Sequence, residues 1–253
     1  MKITSTQSSP GIQRNMTQPL WIVFDAVGTL IEPVPSVAEA YWQIGNTFGS
    51  QYTVQEVRER FGKQFEQSFS NSEGEKHLSN EQIELARWKQ IVEHVLDDVI
   101  EMEACFAEVH SHFSKPEAWQ VFADVAPLLQ QLKLAGYSLA IGSNFDHRLH
   151  DVCAGHRELT PIDVAFASAE LGYRKPSLNF YNELANRLNV RPAQMLMIGD
   201  HEENDVLSAR QAGLSALQID RSQSTVQNTL TKNDGTINSF SEVIPYLETS
   251  KEN

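Results

Sequence analysis

The clearest hydrophobic pattern near the start of the chain is a short apolar run over residues 21–24, which ends in Asp25 and is followed by Gly28 and Thr29. An uninterrupted run of this length is typical of a strand that is buried on both faces of a parallel sheet. Open α/β sheets bind their ligands at the carboxyl ends of their strands. The pattern therefore predicts a strand that presents Asp25 at that edge. On these residues alone, a turn or helix-capping aspartate is the alternative.

The segment from residue 34 to residue 117 has helical periodicity and no convincing strand. A Ser or Thr followed three residues later by Glu or Gln forms a capping box, which marks the start of a helix. This spacing occurs three times, at Ser36 and Glu39, Thr53 and Glu56, and Ser79 and Gln82. We therefore predict three helices that begin there, another over about 95–113, and an α-helical insertion as a whole.

Large aromatic residues are frequent in this insertion. Phe61, Phe65 and Phe69 recur at every fourth position, which is the spacing of one helix face. Such a stripe ordinarily packs in a core, so we interpret it as packing and not as a cofactor site. The same interpretation applies to Trp42, Phe48 and Trp88.

From about residue 116 onward, short apolar runs alternate with helical stretches. The runs predict strands at 138–142, 164–167, 195–199 and 215–219. The helical stretches cover 124–134, 177–188 and 203–212, followed by a loop over 220–237 and a short helix from residue 241. Asp124 is interpreted as the cap of its helix and Gly136 as the residue that ends it.

Strands separated by helices imply a parallel sheet with right-handed crossovers. The predicted fold class is therefore α/β, a doubly wound parallel-sheet (Rossmann-like) core with an inserted α-helical cap domain. We expect a flexible tail over 1–19, a core domain over 20–33 and 118–250, and the helical domain over 34–117.

Composition narrows the possible partners. The chain has 253 residues, with 20 Lys and Arg against 33 Asp and Glu, which give a formal net charge of −13. Such a balance argues against nucleic acid or an anionic membrane as the main partner. Cys105 and Cys153 form neither a disulfide framework nor a metal-binding motif. Because no secretory signal or membrane span is visible, we expect a cytoplasmic protein, either a monomer or a homodimer.

Polar residues with complementary chemistry follow several of the predicted strands. Asp25 follows the first, Ser143 and Asn144 the second, and Asp200 the fourth, with Asp205 at the head of the next helix. Lys175 precedes another helix. If the strands lie parallel in one sheet, these groups converge on one edge. Carboxylates, a hydroxyl and a lysine are the groups that phosphoryl transfer through an aspartyl intermediate needs, with Mg²⁺ held by the remaining oxygens.

In this order, four segments resemble the four motifs of the haloacid dehalogenase-like (HAD) hydrolases. They are Phe-Asp-Ala-Val-Gly-Thr-Leu at 24–30, Ser-Asn-Phe-Asp at 143–146, Tyr-Arg-Lys-Pro at 173–176 and Gly-Asp-His-Glu-Glu-Asn-Asp at 199–205. The resemblance spans roughly residues 20–219. It implies a Rossmann-like core and, because the insertion lies between the first two motifs, a helical cap of the first type.

The resemblance also implies a role for each motif residue. Asp25 is expected to be the nucleophile, with Thr29 orienting its loop. Ser143 and Lys175, together with Asn144, are expected to bind the phosphoryl group. The family pattern further implies that Mg²⁺ is bound by Asp25, Asp200, Asp205 and the backbone carbonyl of Val27. The expected substrate is a small phosphorylated molecule.

One position departs from the family pattern. Phosphatases of this family usually carry a second aspartate two residues after the nucleophile, which acts as general acid and base, whereas this chain has Val27. A positioned acid or base is worth roughly 10²–10⁴ in rate. We therefore expect slow hydrolysis or a preference for leaving groups that need no proton, unless Asp146, His147 or His201 supplies one.

Two other interpretations remain open at this point. A 2-haloacid dehalogenase also lacks the second acid, because halide leaves without a proton. However, dehalogenases of this family need no metal, and carboxylates crowded without a cation would raise one another's pKa. The third possibility is a HAD-fold binding protein that has lost turnover. Retention of Asp25, Lys175 and Asp200 argues against complete loss.

Overall fold

A computed structural model describes residues 19–70, 77–222 and 235–249. The tail predicted before residue 19 and most of the loop predicted over 220–237 lie outside the described residues. The described strands are β1 (Trp21–Phe24), β2 (Ile31–Pro33), β3 (Trp119–Val121), β4 (Ser138–Ser143), β5 (Val164–Ala167), β6 (Met195–Gly199), β7 (Ser215–Ile219) and β8 (Thr236–Ile237).

The described α-helices follow the same chain order. They are α1 (Val37–Thr47), α2 (Val54–Ser70), α3 (Glu81–Val95), α4 (Met102–His112), α5 (Val125–Leu134), α6 (Arg148–Ala154), α7 (Ser168–Leu171), α8 (Leu178–Leu188), α9 (Ser208–Gln211) and α10 (Val243–Thr249). None of these helices has both the length and the apolar composition to cross a lipid bilayer.

Six strands form one parallel sheet in the order β5-β4-β1-β6-β7-β8, and β1 lies inside it, between β4 and β6. Alternate β1 side chains enter different cores. Ile22 and Phe24 pack in one cluster with α5 and α10, whereas Val23 packs in the other with α8. The predicted doubly wound α/β fold is therefore confirmed, and the apolar run of β1 is explained because both of its faces are covered.

Helices α1 to α4 lie between β2 and β3, which pair with each other in antiparallel register. These helices have a hydrophobic cluster of their own that includes Tyr41, Val57, Val92 and Leu96. The predicted capping boxes at Ser36 and Thr53 are present, because each side chain bonds reciprocally with the glutamate three residues later.

Two details of the helical prediction were wrong. Asn80, and not Ser79, caps α3 by accepting a hydrogen bond from Ile83 N, while the Ser79 hydroxyl donates to buried Glu84 at 2.6 Å. The helix predicted over 95–113 begins later than expected: α3 ends at Val95, and α4 begins only at Met102 and ends at His112.

Several short elements after residue 116 also differ from the prediction. Thr236 and Ile237, assigned to a loop, form β8, and residues 202–207 form a π-helix before α9. Asp124 precedes α5 without capping it, because its carboxylate accepts hydrogen bonds from Arg221 and from Phe240 N. The sequence pattern did not predict β2, β3, α6 or α7, all of which are seven residues or shorter.

Candidate active site

Three neighbouring strands of the sheet end at the same edge. Asp25 follows β1, Ser143 ends β4 and Asp200 follows β6. Because β1 pairs in parallel with both β4 and β6, the sheet register alone brings these positions together. The Asp25 N–H continues the ladder by donating to Ile198 O at 2.9 Å.

Lys175 lies between two of the predicted acids. Its ammonium donates to Asp25 Oδ1 at 2.6 Å and to Asp205 Oδ1 at 2.5 Å, and all three residues are buried. The backbone of Lys175 is held by Asn144, whose side-chain amide donates to Lys175 O at 3.0 Å and accepts from Lys175 N at 2.8 Å. The polar residue after β4 therefore positions the segment that carries the lysine.

Asp205 reaches the centre from the π-helix that follows β6. Its second carboxylate oxygen accepts a hydrogen bond from His201 N at 3.1 Å. The position of the side chain depends on Gly199, since a Cβ there would lie 2.3–2.4 Å from Asp205 side-chain atoms. Glycine at this position is required by the close approach.

A second glycine lies beneath Asp200. Gly28 has φ +81°, and a Cβ built on it would lie 2.3 Å from Asp200 Oδ2. The Thr29 hydroxyl is 3.5 Å from Asp200 Oδ1, so this predicted residue contacts Asp200 and is buried beside it. The turn after β1 and the end of β6 are thus in direct contact.

The electrostatics of the centre are dominated by an excess of carboxylates. Burial raises the pKa of Asp25 and Asp205 raises it further, while Lys175 and a hydrogen bond from Ser143 offset part of that effect. Burial, Asp25 and Asp205 together raise the pKa of Asp200 to about 7. Burial opposes the charge on Lys175, but Asp205 and Asp25 outweigh it and raise the pKa of the lysine.

The donor set fits a hard divalent cation. Oxygens of Asp25, Asp200 and Asp205 lie within 4.8 Å of one another. Three carboxylates against one ammonium leave two negative charges, which is the deficit that Mg²⁺ balances. Mg²⁺ takes oxygen ligands and commonly binds through one or two carboxylates together with substrate phosphate.

A cavity of about 340 Å³ opens over this centre. Asp25, Lys175 and Asp200 lie on its wall, as do Val27 and Phe65. Helices α1 to α4 each contribute side chains to the remainder of the wall. The centre therefore faces a partly open cavity between the sheet edge and the helical insertion.

The groups considered as substitutes for the missing acid occupy different places. Asp146 accepts two hydrogen bonds from buried Arg148 at 2.8 Å, which hold its pKa below the usual range against the effect of burial. His147 is bound to Glu81 at 2.6 Å. Of the three candidates, only His201 is on the described wall of the cavity. Its Nδ1 accepts from Asn204 N at 3.3 Å.

The structure changes the interpretation of some of the aromatic residues that the sequence analysis assigned to packing. Phe65, interpreted as packing, lines the cavity, whereas Phe61 and Trp88 both line the cavity and pack against the insertion core. The Phe69 side chain lies outside the described side chains. Trp42 and Phe48 pack against the insertion core as expected.

Arg221 was missed altogether. It donates to Thr29 O at 2.6 and 3.1 Å and lies 3.8 Å above the centre of the Phe122 ring. It follows β7 in a segment whose composition is that of a surface loop, so no sequence signal marked it.

Comparison with known proteins identifies the family of this chain. The family model for haloacid dehalogenase-like hydrolases matches residues 20–213. Haloacid dehalogenase-like hydrolase domain-containing protein 3 of Mus musculus is 25% identical over 238 residues, which cover 90% of this chain and 93% of that protein. Glyceraldehyde 3-phosphate phosphatase of Methanopyrus kandleri is 26% identical over 148 residues, or 53% of this chain and 57% of that protein.

Solved structures share the fold. Magnesium-bound YfnB of Bacillus subtilis superposes with a TM-score of 0.70 at 15% identity, over 91% of this chain and 99% of that one. An L-2-haloacid dehalogenase superposes with a TM-score of 0.69 at 18% identity, over 92% of this chain and 100% of that one. A magnesium-bound HAD-hydrolase and a dehalogenase thus share this fold, so the fold alone does not identify the reaction.

The chain belongs to the haloacid dehalogenase-like hydrolase family, as its four motifs indicated. It is accordingly a hydrolase, and proteins named as phosphatases are among its relatives.

Proposed function

We propose that this protein is a Mg²⁺-dependent phosphatase of a small phosphorylated molecule that works through an Asp25 nucleophile and lacks the usual general acid. The observation that carries the proposal is the position of Lys175 between Asp25 and Asp205, with three carboxylates sharing one small space. This arrangement offers a nucleophile, a cationic partner for phosphoryl oxygens and a set of metal ligands.

The proposed reaction has two steps. A carboxylate oxygen of Asp25 attacks phosphorus, and the bond between phosphorus and the organic oxygen breaks with its electrons on the leaving oxygen. Water then hydrolyses the aspartyl phosphate, which frees Asp25 and releases inorganic phosphate. Lys175 and Ser143 bind the phosphoryl oxygens throughout, and Asn144 positions the lysine. The leaving oxygen takes its proton from solvent water unless it leaves as a stable anion.

In this proposal Asp25, Asp200, Asp205 and the backbone carbonyl of Val27 hold the metal. Bound Mg²⁺ supplies positive charge to the phosphoryl oxygens. Replacement of an acid by Val27 does not affect this role, because the valine retains its carbonyl. Thr29, beside Asp200, is proposed to stabilise the turn that carries the nucleophile.

Helices α1 to α4 are proposed to act as the cap. Each of them lines the cavity that also holds Asp25, so a substrate placed at the carboxylate would be shielded in part from bulk water. Exclusion of water strengthens electrostatic interactions inside a site and suppresses side reactions.

The dehalogenase alternative is disfavoured by the electrostatics. Without a cation, burial and the neighbouring carboxylates raise the pKa of Asp200 to about 7, and burial and Asp205 also raise the pKa of Asp25, so the nucleophile is a poorer anion. A cation relieves this repulsion. The retained carboxylates therefore favour metal-dependent chemistry.

The test is turnover of acetyl phosphate and p-nitrophenyl phosphate, two substrates whose leaving groups need no proton. We expect slow hydrolysis that requires Mg²⁺, and Asp25→Asn should abolish it, because an amide is not a nucleophile for phosphorus. Asp151→Asn, an exposed change on α6, is the matched control and should retain activity. Hydrolysis that survives Asp25→Asn would show that the nucleophile is misassigned. Metal-independent chloride release from 2-chloropropionate would instead support a dehalogenase.

A further inference from the structure

The part of the cavity wall that the helical insertion forms is mainly apolar. Each of its helices contributes at least one large side chain, for example Tyr41, Phe65, Trp88 and Phe106. Among the described residues of these helices, no Lys, Arg, Asp or Glu lines the cavity. The one histidine they contribute, His110, has its pKa lowered by burial and by Arg148, which favours the neutral form.

Each of the two arginines on the wall has a buried carboxylate beside it. Arg148 donates through Nε and Nη2 to Asp146 at 2.8 Å each and through Nη1 to His110 O at 3.3 Å. Arg174 faces buried Glu84, with Nε 3.7 Å from Oε1. A second anionic group on a ligand would have to compete with a buried carboxylate for either cation. If the ligand displaced that carboxylate, a buried charge would be left without a partner, which costs free energy. Binding of a ligand with a second anionic group is therefore disfavoured.

Aromatic surfaces form part of the same wall. Phe61 and Phe65 stack with ring centroids 5.4 Å apart. On the core side of the cavity, the ring centroids of Phe145 and Trp119 lie 5.9 Å from each other. Such side chains bind apolar groups by removing their surface from water and leave sugar hydroxyls without partners. The cavity volume of about 340 Å³ lies near the lower end of the roughly 300–1,000 Å³ that is usual for small-molecule sites.

We propose that the substrate carries a single phosphoryl group on an apolar organic group, as a monophosphate ester of a hydrophobic alcohol or phenol with no second charged group. This inference rests on the proposed function for the orientation of the ligand, with its phosphoryl group at Lys175 and its organic group among the helices. It excludes sugar phosphates, bisphosphates and phosphorylated carboxylic acids as preferred substrates.

Binding of non-hydrolysable phosphonates tests the inference without turnover. In calorimetric titrations of the full chain with Mg²⁺, we expect the Kd of n-alkylphosphonates to fall from ethyl to butyl to hexyl by roughly threefold per added methylene. Affinity should level off once the chain fills the cavity. A terminal carboxylate on the butyl chain should weaken binding at least tenfold. A Kd that is independent of chain length, an absence of binding, or tighter binding of the carboxylated compound would overturn the proposal.

A matched pair of variants locates the effect. Phe65→Ser places a hydroxyl on the cavity wall, whereas Phe48→Ser changes a residue that packs in the insertion core away from the cavity. The measurement is the ratio of ethyl to hexyl Kd, which does not depend on the fraction of protein that is folded. We expect Phe65→Ser to reduce this ratio about tenfold and Phe48→Ser to leave it within twofold. Equal effects of the two changes would contradict the assignment.

Failure of this inference can be told apart from failure of the proposed function. If phosphonate affinity rises with chain length but no phosphate ester is hydrolysed, the ligand class stands and turnover does not. If p-nitrophenyl phosphate is hydrolysed in an Asp25-dependent manner while chain length has no effect, the phosphatase stands and the apolar substrate class is wrong.

Discussion

At the scale of single residues, position 27 determines how the proposed hydrolysis handles protons. Val27 lines the same cavity as Asp25 and cannot donate a proton. Of the three candidate proton donors, only His201 lies on the described wall. The proposed nucleophile Asp25, Lys175 and the proposed metal ligands lie together at the same sheet edge. In the proposed mechanism the site therefore keeps the groups for phosphoryl transfer, whereas position 27 has no side chain that could protonate the leaving group.

Restoring the acid should therefore raise the rate selectively. For Val27→Asp we expect hydrolysis of an alkyl phosphate to increase by roughly 10²–10⁴-fold, because an alkoxide leaves poorly without a proton. Hydrolysis of acetyl phosphate should change little. Phosphate release under saturating Mg²⁺ measures hydrolysis of both substrates. Val27→Asn is the control, because asparagine has nearly the shape of aspartate but cannot act as a general acid. If neither substrate gains, another donor already acts or the site is defective elsewhere.

Gly28 gives a second prediction at this scale, because a Cβ there would lie 2.3 Å from Asp200 Oδ2. Gly28→Ala should displace that carboxylate and weaken Mg²⁺ binding at least tenfold in calorimetric titration. Gly49→Ala is the control, since Gly49 has a similar φ of +88° with nothing within 4 Å of the added Cβ. Both variants should lose about 1–2 kcal/mol of unfolding free energy from backbone strain. Equal Mg²⁺ affinity in the two variants would contradict the role given to the close approach.

At the scale of secondary-structure elements, Arg221 joins segments that are distant in the chain. Its guanidinium bonds Thr29 O in the turn after β1 and Asp124 before α5, and it lies 4.8 Å from the ring centre of Phe240 before α10. Such a planar, multidentate group is not replaced by an ammonium. Arg221 is thus a positioning residue for the turn that follows the proposed nucleophile.

We expect Arg221→Lys to lower the free energy of unfolding by about 1–3 kcal/mol, since three partly buried hydrogen bonds lose their donors. Urea denaturation followed by circular dichroism measures the loss. Arg157→Lys is the control, because the Arg157 side chain is 94% exposed and should change stability by less than about 0.5 kcal/mol. Comparable losses in the two variants would show that Arg221 does not hold these elements together.

At the scale of the whole molecule, charge links folding to metal binding. The chain carries a formal net charge of −13, and the site at the sheet edge concentrates three carboxylates, two of them buried, around one lysine. Repulsion within that centre opposes folding when the acids are ionised and no cation is present. Folding stability should therefore depend on both pH and Mg²⁺.

Asp200 makes this dependence measurable, because burial and its neighbours raise its pKa to about 7. A carboxyl whose pKa is higher in the folded state binds more protons there, so stability falls as pH rises from about 4 toward 7. In EDTA we expect about 1–2 kcal/mol less unfolding free energy at about pH 8 than at about pH 5. This allows for screening, since Asp200 retains solvent-exposed surface.

Urea denaturation at the two pH values measures the difference, and Asp200→Asn should remove it. At the higher pH, Mg²⁺ should stabilise the unchanged protein more than the variant, as expected when a ligand binds only the folded state. The same pH dependence in both proteins would mean that other groups cause it.

Much of the architecture was readable from the sequence because it rests on local rules. The apolar runs at residues 164–167, 195–199 and 215–219 became strands with those bounds, since burial on both faces leaves a continuous apolar signal. Capping boxes located the starts of α1 and α2. Asn80 displaced Ser79 as the cap of α3 because the Ser79 hydroxyl is used by buried Glu84, a competition that no local pattern shows.

The sequence by itself determined five of the six strands of the parallel sheet and the types of residue at its ligand-binding edge, because hydrophobic periodicity and the residues at strand ends are local features of the sequence. Only the tertiary structure decided that Lys175 bridges Asp25 and Asp205, that Arg221 holds the turn at Thr29, and that Phe65 and Trp88 face a cavity. These contacts join residues that are far apart in sequence. Their partners depend on how helices and strands pack, and packing follows from the whole chain and not from any local spacing.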